Sequence, residues 1–135
     1  MNERSSVLIV DDEEVVRRAH TRSLADTGCR TQAAEDGQEA LRVMEEHPFD
    51  VVLLDLRMPG LDGMDVLKTM KERWPDSEVV VITGYPTIEA AKEAVRLGAH
   101  NFIAQPVGPD DVIKAANEAI NQTRWALRSE KPVSH

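Results

Sequence analysis

The chain has 135 residues, a length that fits one compact domain with a sizeable core and leaves little room for a second. Hydrophobic residues make up 41% and charged residues 30%, which excludes the disordered, collagenous and disulfide-stapled classes. Twenty-four acids against 16 Lys and Arg give a formal charge of -8, which argues against sequence-independent binding to nucleic acid or to an anionic membrane. The opening residues 1–6 hold no apolar stretch of signal-peptide length, and no run approaches the roughly 20 residues that cross a bilayer. A cytoplasmic chain is expected. Its one cysteine, Cys29, forms no internal disulfide and reads as a small core residue rather than a nucleophile.

Short β-branched runs alternate with longer helical patterns along the whole chain, the pattern of a parallel sheet wrapped by helices. The first strand, Val7 to Val10, is continuously apolar, as expected of a strand covered on both faces. It runs into Asp11 and Asp12. A helix follows from Glu13 to about Thr27, stopped by Gly28, with Val16, Ala19 and Leu24 inward and His20 close to that face as a packed, hydrogen-bonded residue. Arg30 to Ala34 is more polar and reads as an outer strand. The second helix fits Gln38 to Glu46, with Asp36 near its start, Ala40, Leu41 and Met44 at helical spacing, and Pro48 as its stop.

The third strand, Val51 to Leu54, is again wholly apolar and delivers Asp55. A third helix from about Met64 to Trp74 turns Val66, Leu67 and Met70 inward and is closed by Pro75. The fourth strand, Val79 to Ile82, ends at Thr83. Thr87 is an acceptable N-cap for a fourth helix that places Ile88, Ala91 and Val95 on one face and ends at Gly98. That helix is rich in alanine and poor in bulky apolar groups, so it is expected to be less firmly anchored. The fifth strand, Asn101 to Ala104, leads into Gln105-Pro106. The fifth helix opens at Pro109-Asp110-Asp111, where Pro fits the first turn and the acids suit the positive end of the dipole; Val112, Ala116, Ile120 and Leu127 share one face. Trp125 stays open between covering the end of this packing and marking a linker or a dimer contact. Residues 1–128 read as the domain and 129–135 as a disordered tail or the start of a linker.

In an open parallel α/β sheet, ligands bind at the carboxyl ends of the strands. Asp11 and Asp12 follow the first strand and Asp55 the third, so strands that can lie side by side bring three carboxylates to one edge. Crowded carboxylates repel, raise at least one pKa and destabilise the fold unless a cation compensates them. A hard divalent cation such as Mg2+ takes oxygen ligands and commonly combines one or two carboxylates with phosphate oxygens. Either acidic motif alone reads equally well as helix-terminal or loop-capping acids.

The pattern Leu8-Ile9-Val10-Asp11-Asp12-Glu13, then Asp50 to Leu54 followed by Asp55-Leu56-Arg57-Met58-Pro59-Gly60-Leu61-Asp62-Gly63, then Ile82-Thr83-Gly84-Tyr85, resembles the receiver domain of bacterial two-component response regulators. The resemblance covers roughly Ser6 to Arg124. It implies a doubly wound five-stranded parallel sheet in the order 2-1-3-4-5 with helices on both faces. It also implies that Asp55 is a phosphoacceptor, taking a phosphoryl group from a histidine on a sensor kinase, which makes the chain a signalling domain rather than a turnover enzyme. Mg2+ would be held by Asp12, by Asp11 largely through water, by Asp55 and by the backbone carbonyl of Arg57. Thr83 would be the switch hydroxyl, moving to the phosphoryl group. Phe102 would be the aromatic that turns inward after it, although its position also suits a simple edge-strand core residue. The read-out would reach an output partner or domain, with a homodimer as another possibility, through the face formed by the fourth helix, fifth strand and fifth helix. A cis bond is implied before Pro106.

The resemblance fails at one functional position. Receivers ordinarily carry Lys before that proline, and this chain carries Gln105, an amide donor without charge. Charge-assisted hydrogen bonds are about twice as strong as neutral ones, so the loss is on the order of 1 to 2 kcal/mol or more in the phosphorylated state. The Arg57 side chain, near the mouth of the site, is a candidate phosphoryl contact; with Tyr85 it is equally a candidate obstruction to water, or a solvated surface arginine. Two further functions stay in view. A phosphate-independent receiver would act as a constitutive protein-interaction module, the reading Gln105 keeps alive. An aspartyl-phosphate phosphatase would carry a second acid two residues after its nucleophile, where this chain has Arg57. No output domain is legible in the sequence, which leaves a stand-alone receiver and a piece of a longer regulator both open.

Overall fold

A computed structural model describes residues 5–58 and 60–130, with side chains described as far as residue 122. Pro59, the side chains of Trp125 and Leu127, and the tail from 131 onward therefore lie outside the described residues. Five strands, β1 (Ser6–Val10), β2 (Arg30–Ala34), β3 (Val51–Leu54), β4 (Glu78–Thr83) and β5 (Asn101–Ala104), form one sheet in the order β2-β1-β3-β4-β5. Every pairing is parallel. The helices α1 (Glu14–Leu24), α2 (Gly37–Glu46), α3 (Gly63–Arg73), α4 (Ile88–Arg96) and α5 (Pro109–Glu130) cross between them. The doubly wound α/β fold expected from the sequence is the fold observed, and no helix among the described residues is long and apolar enough to cross a membrane.

The continuous apolar runs of β1, β3 and β4 are explained by two cores. Successive strand residues point to opposite faces, so Leu8, Val10, Val52, Leu54, Val79 and Val81 pack with α2 and α3, while Val7, Ile9, Val51, Leu53, Val80 and Ile82 pack against α5 and Leu24 of α1. Outside the sheet, α5 contributes Val112, Ala116 and Ile120 from the expected face, joined by Ala115 and Ala119. At the amino end of the sheet Asp50 accepts the Ser6 amide at 2.9 Å and its own amide donates to Ser6 Oγ at 3.1 Å, which ties β1 to β3.

Two helix faces differ from the sequence expectation. In α1, Ala19 is exposed and the inward line is Val16, His20 and Leu24, at strict four-residue spacing, with a short 3-10 turn (Ala25–Thr27) completing the segment before Gly28. His20 is buried as expected, yet among the described residues its imidazole makes no hydrogen bond, and burial lowers its pKa below the ordinary imidazole value. In α4 the stripe of Ile88 and Val95 faces solvent, at 72% and 61% exposure, with Ala91 half-buried. The inward line is Ala90, Ala94 and Leu97, and only Ala94 is fully buried. Alanine on both sides of this helix left the larger residues to mark a face by size, and the packing chose the smaller side.

Candidate functional site

The carboxyl ends of β1 and β3 are adjacent and in register, Val10 opposite Leu54, so the residues that follow must emerge together. The Asp11 amide donates to Ala34 O and the Asp55 amide to Val10 O, extending the parallel ladders just past the last strand residues. One carboxylate oxygen from each of Asp11, Asp12 and Asp55 lies within 4.8 Å of one from each of the others. The three acids singled out in the sequence are one cluster.

Local hydrogen bonds set their orientation. Asp11 Oδ1 accepts the Glu13 amide at 2.9 Å, and the Asp11 carbonyl accepts from Arg17 Nη1 at 2.8 Å, which anchors the turn into α1. Asp55 Oδ1 accepts the Arg57 amide at 3.1 Å. Asp11 and Asp55 are buried, at 3% and 9% exposure, while Asp12 is exposed. Burial pushes the Asp11 carboxyl up to about 6, reinforced by the charges of Asp55, Asp12 and Glu13 and opposed by the Glu13 amide. Burial also raises the pKa of Asp55, with Asp12 and Glu13 adding to the effect and the Arg57 amide and a side-chain hydrogen bond with Asp11 opposing it.

Asp12 and Asp55, together with Glu13, line a cavity of about 490 Å³, while the more deeply buried Asp11 is not on its wall. The loop after β3 forms one wall with Leu56, Arg57 and Met58, the β4–α4 turn forms another with Gly84 and Tyr85, and Gln105 closes a third side. Asp62 lines the rim while its carboxylate caps α3 by accepting the Met64 amide at 2.9 Å. The loop can lie this close to α3 because Gly63 has no side chain: a Cβ there would sit 2.5 Å from Leu56 Cα. Gly60 turns the same loop at a φ of 88°, a left-handed conformation that glycine adopts without strain.

Thr83, buried at the end of β4, does not line the cavity; its Oγ1 accepts the Tyr85 amide at 3.2 Å. Phe102 is half-buried on β5 and packs against the core shared with α3 and Ala94. The Gln105-Pro106 bond is cis, as the resemblance implied. Arg57 is the only basic residue on the cavity wall among the described residues, and its guanidinium carbon stands 3.8 Å from the centre of the Tyr85 ring. That contact joins residues 28 positions apart, yet the register held the signal: Leu54 pairs with Val81, so position 57 comes level with position 84, next to Tyr85. The roles of Asp62 as helix cap and of Glu13, Met58 and Gly84 as wall residues were not read from the sequence.

The donor set suits a hard cation. Three carboxylates converge within 4.8 Å, and the mutual repulsion and burial that raise Asp11 and Asp55 are relieved by a divalent ion with oxygen preference.

A family model described as the response regulator receiver domain matches residues 7–117. A putative NtrX-like response regulator of Rickettsia felis is 35% identical over 120 residues, 87% of this chain and 25% of that protein. The NtrC transcriptional regulator of Escherichia coli is 34% identical over 119 residues, 88% of this chain and again 25% of that protein. The chain thus spans about a quarter of the length of the curated relatives it matches. Among solved structures, NtrX of Brucella abortus superposes with a TM-score of 0.87 at 32% identity, over 96% of this chain and 30% of that one. A CheY-like receiver domain protein of Methanospirillum hungatei gives the same TM-score at 25% identity, covering 93% and 99%.

Proposed function

Because this chain belongs to the response regulator receiver domain family, we propose that Asp55 accepts a phosphoryl group from a sensor histidine kinase and that the domain passes the change to an output partner. The observation that carries this reading is the convergence of Asp11, Asp12 and Asp55 at the ends of adjacent strands, with Asp12 and Asp55 on the wall of an open cavity. An Asp55 oxygen attacks phosphorus, the P–N bond to the kinase histidine breaks, and the electron pair leaves on the imidazole nitrogen, which takes up a proton from water. No protein base is needed, since the nucleophile is already an anion.

The Arg57 amide, bonded to Asp55 Oδ1, fixes the carboxylate while it reacts. Asp12, Asp55, Asp11 and the Arg57 backbone carbonyl would hold Mg2+, which would supply positive charge to the phosphoryl oxygens during transfer. After transfer the added negative charge calls for donors. The Thr83 hydroxyl, now engaged by the Tyr85 amide, turns to the phosphoryl group, and Phe102 moves into the space released. Such a change reaches α4, β5 and α5, the face for an output partner or domain or for a second copy.

A second reading has its own observation. Gln105 stands on the cavity wall where the ammonium of a typical receiver would answer the phosphoryl charge, which favours a phosphate-independent interaction module. Incubation with Mg2+ and acetyl phosphate, or with a phosphorylated histidine kinase, followed by intact-mass measurement, separates the two. A single labile phosphoryl adduct, absent from Asp55→Ala, is the expected result. Failure of every donor to label the wild type would replace the relay by the constitutive module.

A further inference from the structure

Arg57 and Tyr85 face each other across the mouth of the cavity, and each is tied through its backbone to a side chain of the reaction. The Arg57 amide donates to Asp55 Oδ1, and the Tyr85 amide donates to Thr83 Oγ1. Their side chains meet as a cation lying over an aromatic face, 3.8 Å from guanidinium carbon to ring centre. The wall of this cavity carries four carboxylates, from Asp12, Glu13, Asp55 and Asp62, and Arg57 as its one cation among the described residues. Gln105, on the same wall, contributes no charge.

We infer that Arg57 is a phosphoryl-binding residue held in reserve: its guanidinium rests on the Tyr85 ring while Asp55 is unmodified and exchanges onto the phosphoryl oxygens when Asp55 is modified, supplying the positive charge that position 105 lacks. The inference rests on Asp55 being the acceptor. The direction of the exchange follows from the competing interactions. The Tyr85 ring is exposed, and a cation over an exposed ring is held weakly. A recessed carboxylate competes poorly for the guanidinium, because Asp55 is buried and its Oδ1 is already engaged by an amide. A phosphoryl group extends into the cavity, carries more charge, and offers planar pairs of oxygens that a guanidinium fork can grip with two hydrogen bonds.

Both latches release together. When the Thr83 hydroxyl turns to the phosphoryl group it gives up the Tyr85 amide, in the same turn whose ring gives up Arg57. Tyr85 is therefore a competitor for the guanidinium as well as its resting place, and the two residues have opposite effects on the rate.

The test labels the wild type, Arg57→Ala, Tyr85→Leu, Gln105→Lys and the Arg57→Ala/Gln105→Lys double variant with acetyl phosphate and Mg2+. In this reaction the Asp55 oxygen bonds to phosphorus and acetate leaves with the electron pair. Arg57→Ala is expected to label roughly tenfold more slowly, the loss of one charge-assisted contact, Tyr85→Leu faster than wild type, and the double variant to recover most of the Arg57→Ala loss. A second readout needs no turnover. The Arg57 Nε–H resonance, identified by its absence in Arg57→Lys, is expected to move away from its ring-shifted position when the phosphoryl mimic beryllium fluoride is added with Mg2+. Labelling of Arg57→Ala at the wild-type rate, or an Arg57 signal unmoved by the mimic, overturns the inference and leaves Asp55 as acceptor. A wild type that neither labels nor responds to the mimic overturns both.

Discussion

The middle of the sheet around β1 and β3 and its edge at β5, with α4 beside it, are made differently. Every residue of Val7–Val10 and Val51–Leu54 is at most 2% exposed, and the cluster of carboxylates grows directly from these strands. On the other side β5 is only half-buried, α4 sends a single fully buried residue, Ala94, into the core, and Tyr85, Ile88 and Val95 stand in solvent. A ligand site needs oxygens held in place, and it has been built where the backbone is held from both faces. Phe102 and α4, next to the buried Thr83, lie where few buried apolar contacts oppose local rearrangement, so a change of state meets least resistance there.

The sharpest way to break the contrast is to disturb the firm middle. Gly63→Ala would place a Cβ 2.5 Å from the Leu56 backbone, which cannot yield as a flexible side chain would. A loss of about 3 kcal/mol or more is expected from overpacking against the main chain, read as a lower midpoint in urea with an unchanged slope. A midpoint within error of the wild type would show that the loop after Asp55 is looser than its packing implies.

The next effect is electrostatic. The folded-state pKa of Asp11 stands near 6 against a reference of 3.8, so the folded chain holds this proton more tightly than the unfolded chain does. The stabilising contribution is full below the reference value and is lost as pH rises through about 6, the reverse of ordinary acid denaturation. At about 1.4 kcal/mol per unit, the shift corresponds to a penalty on the order of 3 kcal/mol at neutral pH in chelator-treated protein. His20 works against it, because its lowered pKa gives stability that is present above its reference value of 6.5 and fades as pH falls. The difference between Asp11→Asn and wild type isolates the carboxylate. Asp11→Asn is expected to be the more stable at pH 7.5, with the gap closing as pH is lowered toward 4. Mg2+ should narrow it too, by stabilising the wild type more. A gap that does not vary with pH would locate the strain elsewhere.

The same contrast governs what the sequence disclosed. Strands buried on both faces are written as unbroken apolar runs, so the parallel sheet and the acids at its strand ends were legible in the residues, whereas the strand order that sets Asp11 and Asp12 beside Asp55 was implied by the resemblance to receivers. The orientation of α4 was not. Its inward residues within the helix are the alanines Ala90 and Ala94, which look alike on either side, and the bulky Ile88 and Val95 pointed to a face that the fold leaves in solvent. Ala19 misled for the same reason, being small enough to suit either side of α1. The Arg57–Tyr85 contact was half-visible: both residues stood near the site by counting from Asp55 and Thr83, but the side-chain meeting depends on rotamers that no spacing encodes. Asp62 was hidden by a boundary one residue off, since α3 starts at Gly63 and makes the preceding aspartate its cap.

Smaller effects belong to the loosely held edge, and they test whether α4 is fixed by its ends rather than by its face. Thr87 Oγ1 accepts the Ala90 amide at 3.0 Å, so Thr87→Ala leaves one amide of the first turn without its cap. The expected loss is about 1 kcal/mol, seen as faster hydrogen exchange in α4 while the amides of β1 and β3 keep the wild-type rate. By contrast Ile88→Ser and Val95→Ser remove apolar groups already in water and are expected to change stability by less than about 0.5 kcal/mol. If these two variants cost as much as the cap, the stripe would be buried in solution, and a second copy of the chain would be covering it. Sedimentation of the wild type at rising concentration would then show a dimer that both serine variants lose. If instead the cap matters and the stripe does not, α4 is a helix anchored at its first turn and by Ala94, free to shift when Thr83 and Tyr85 at its approach let go of each other.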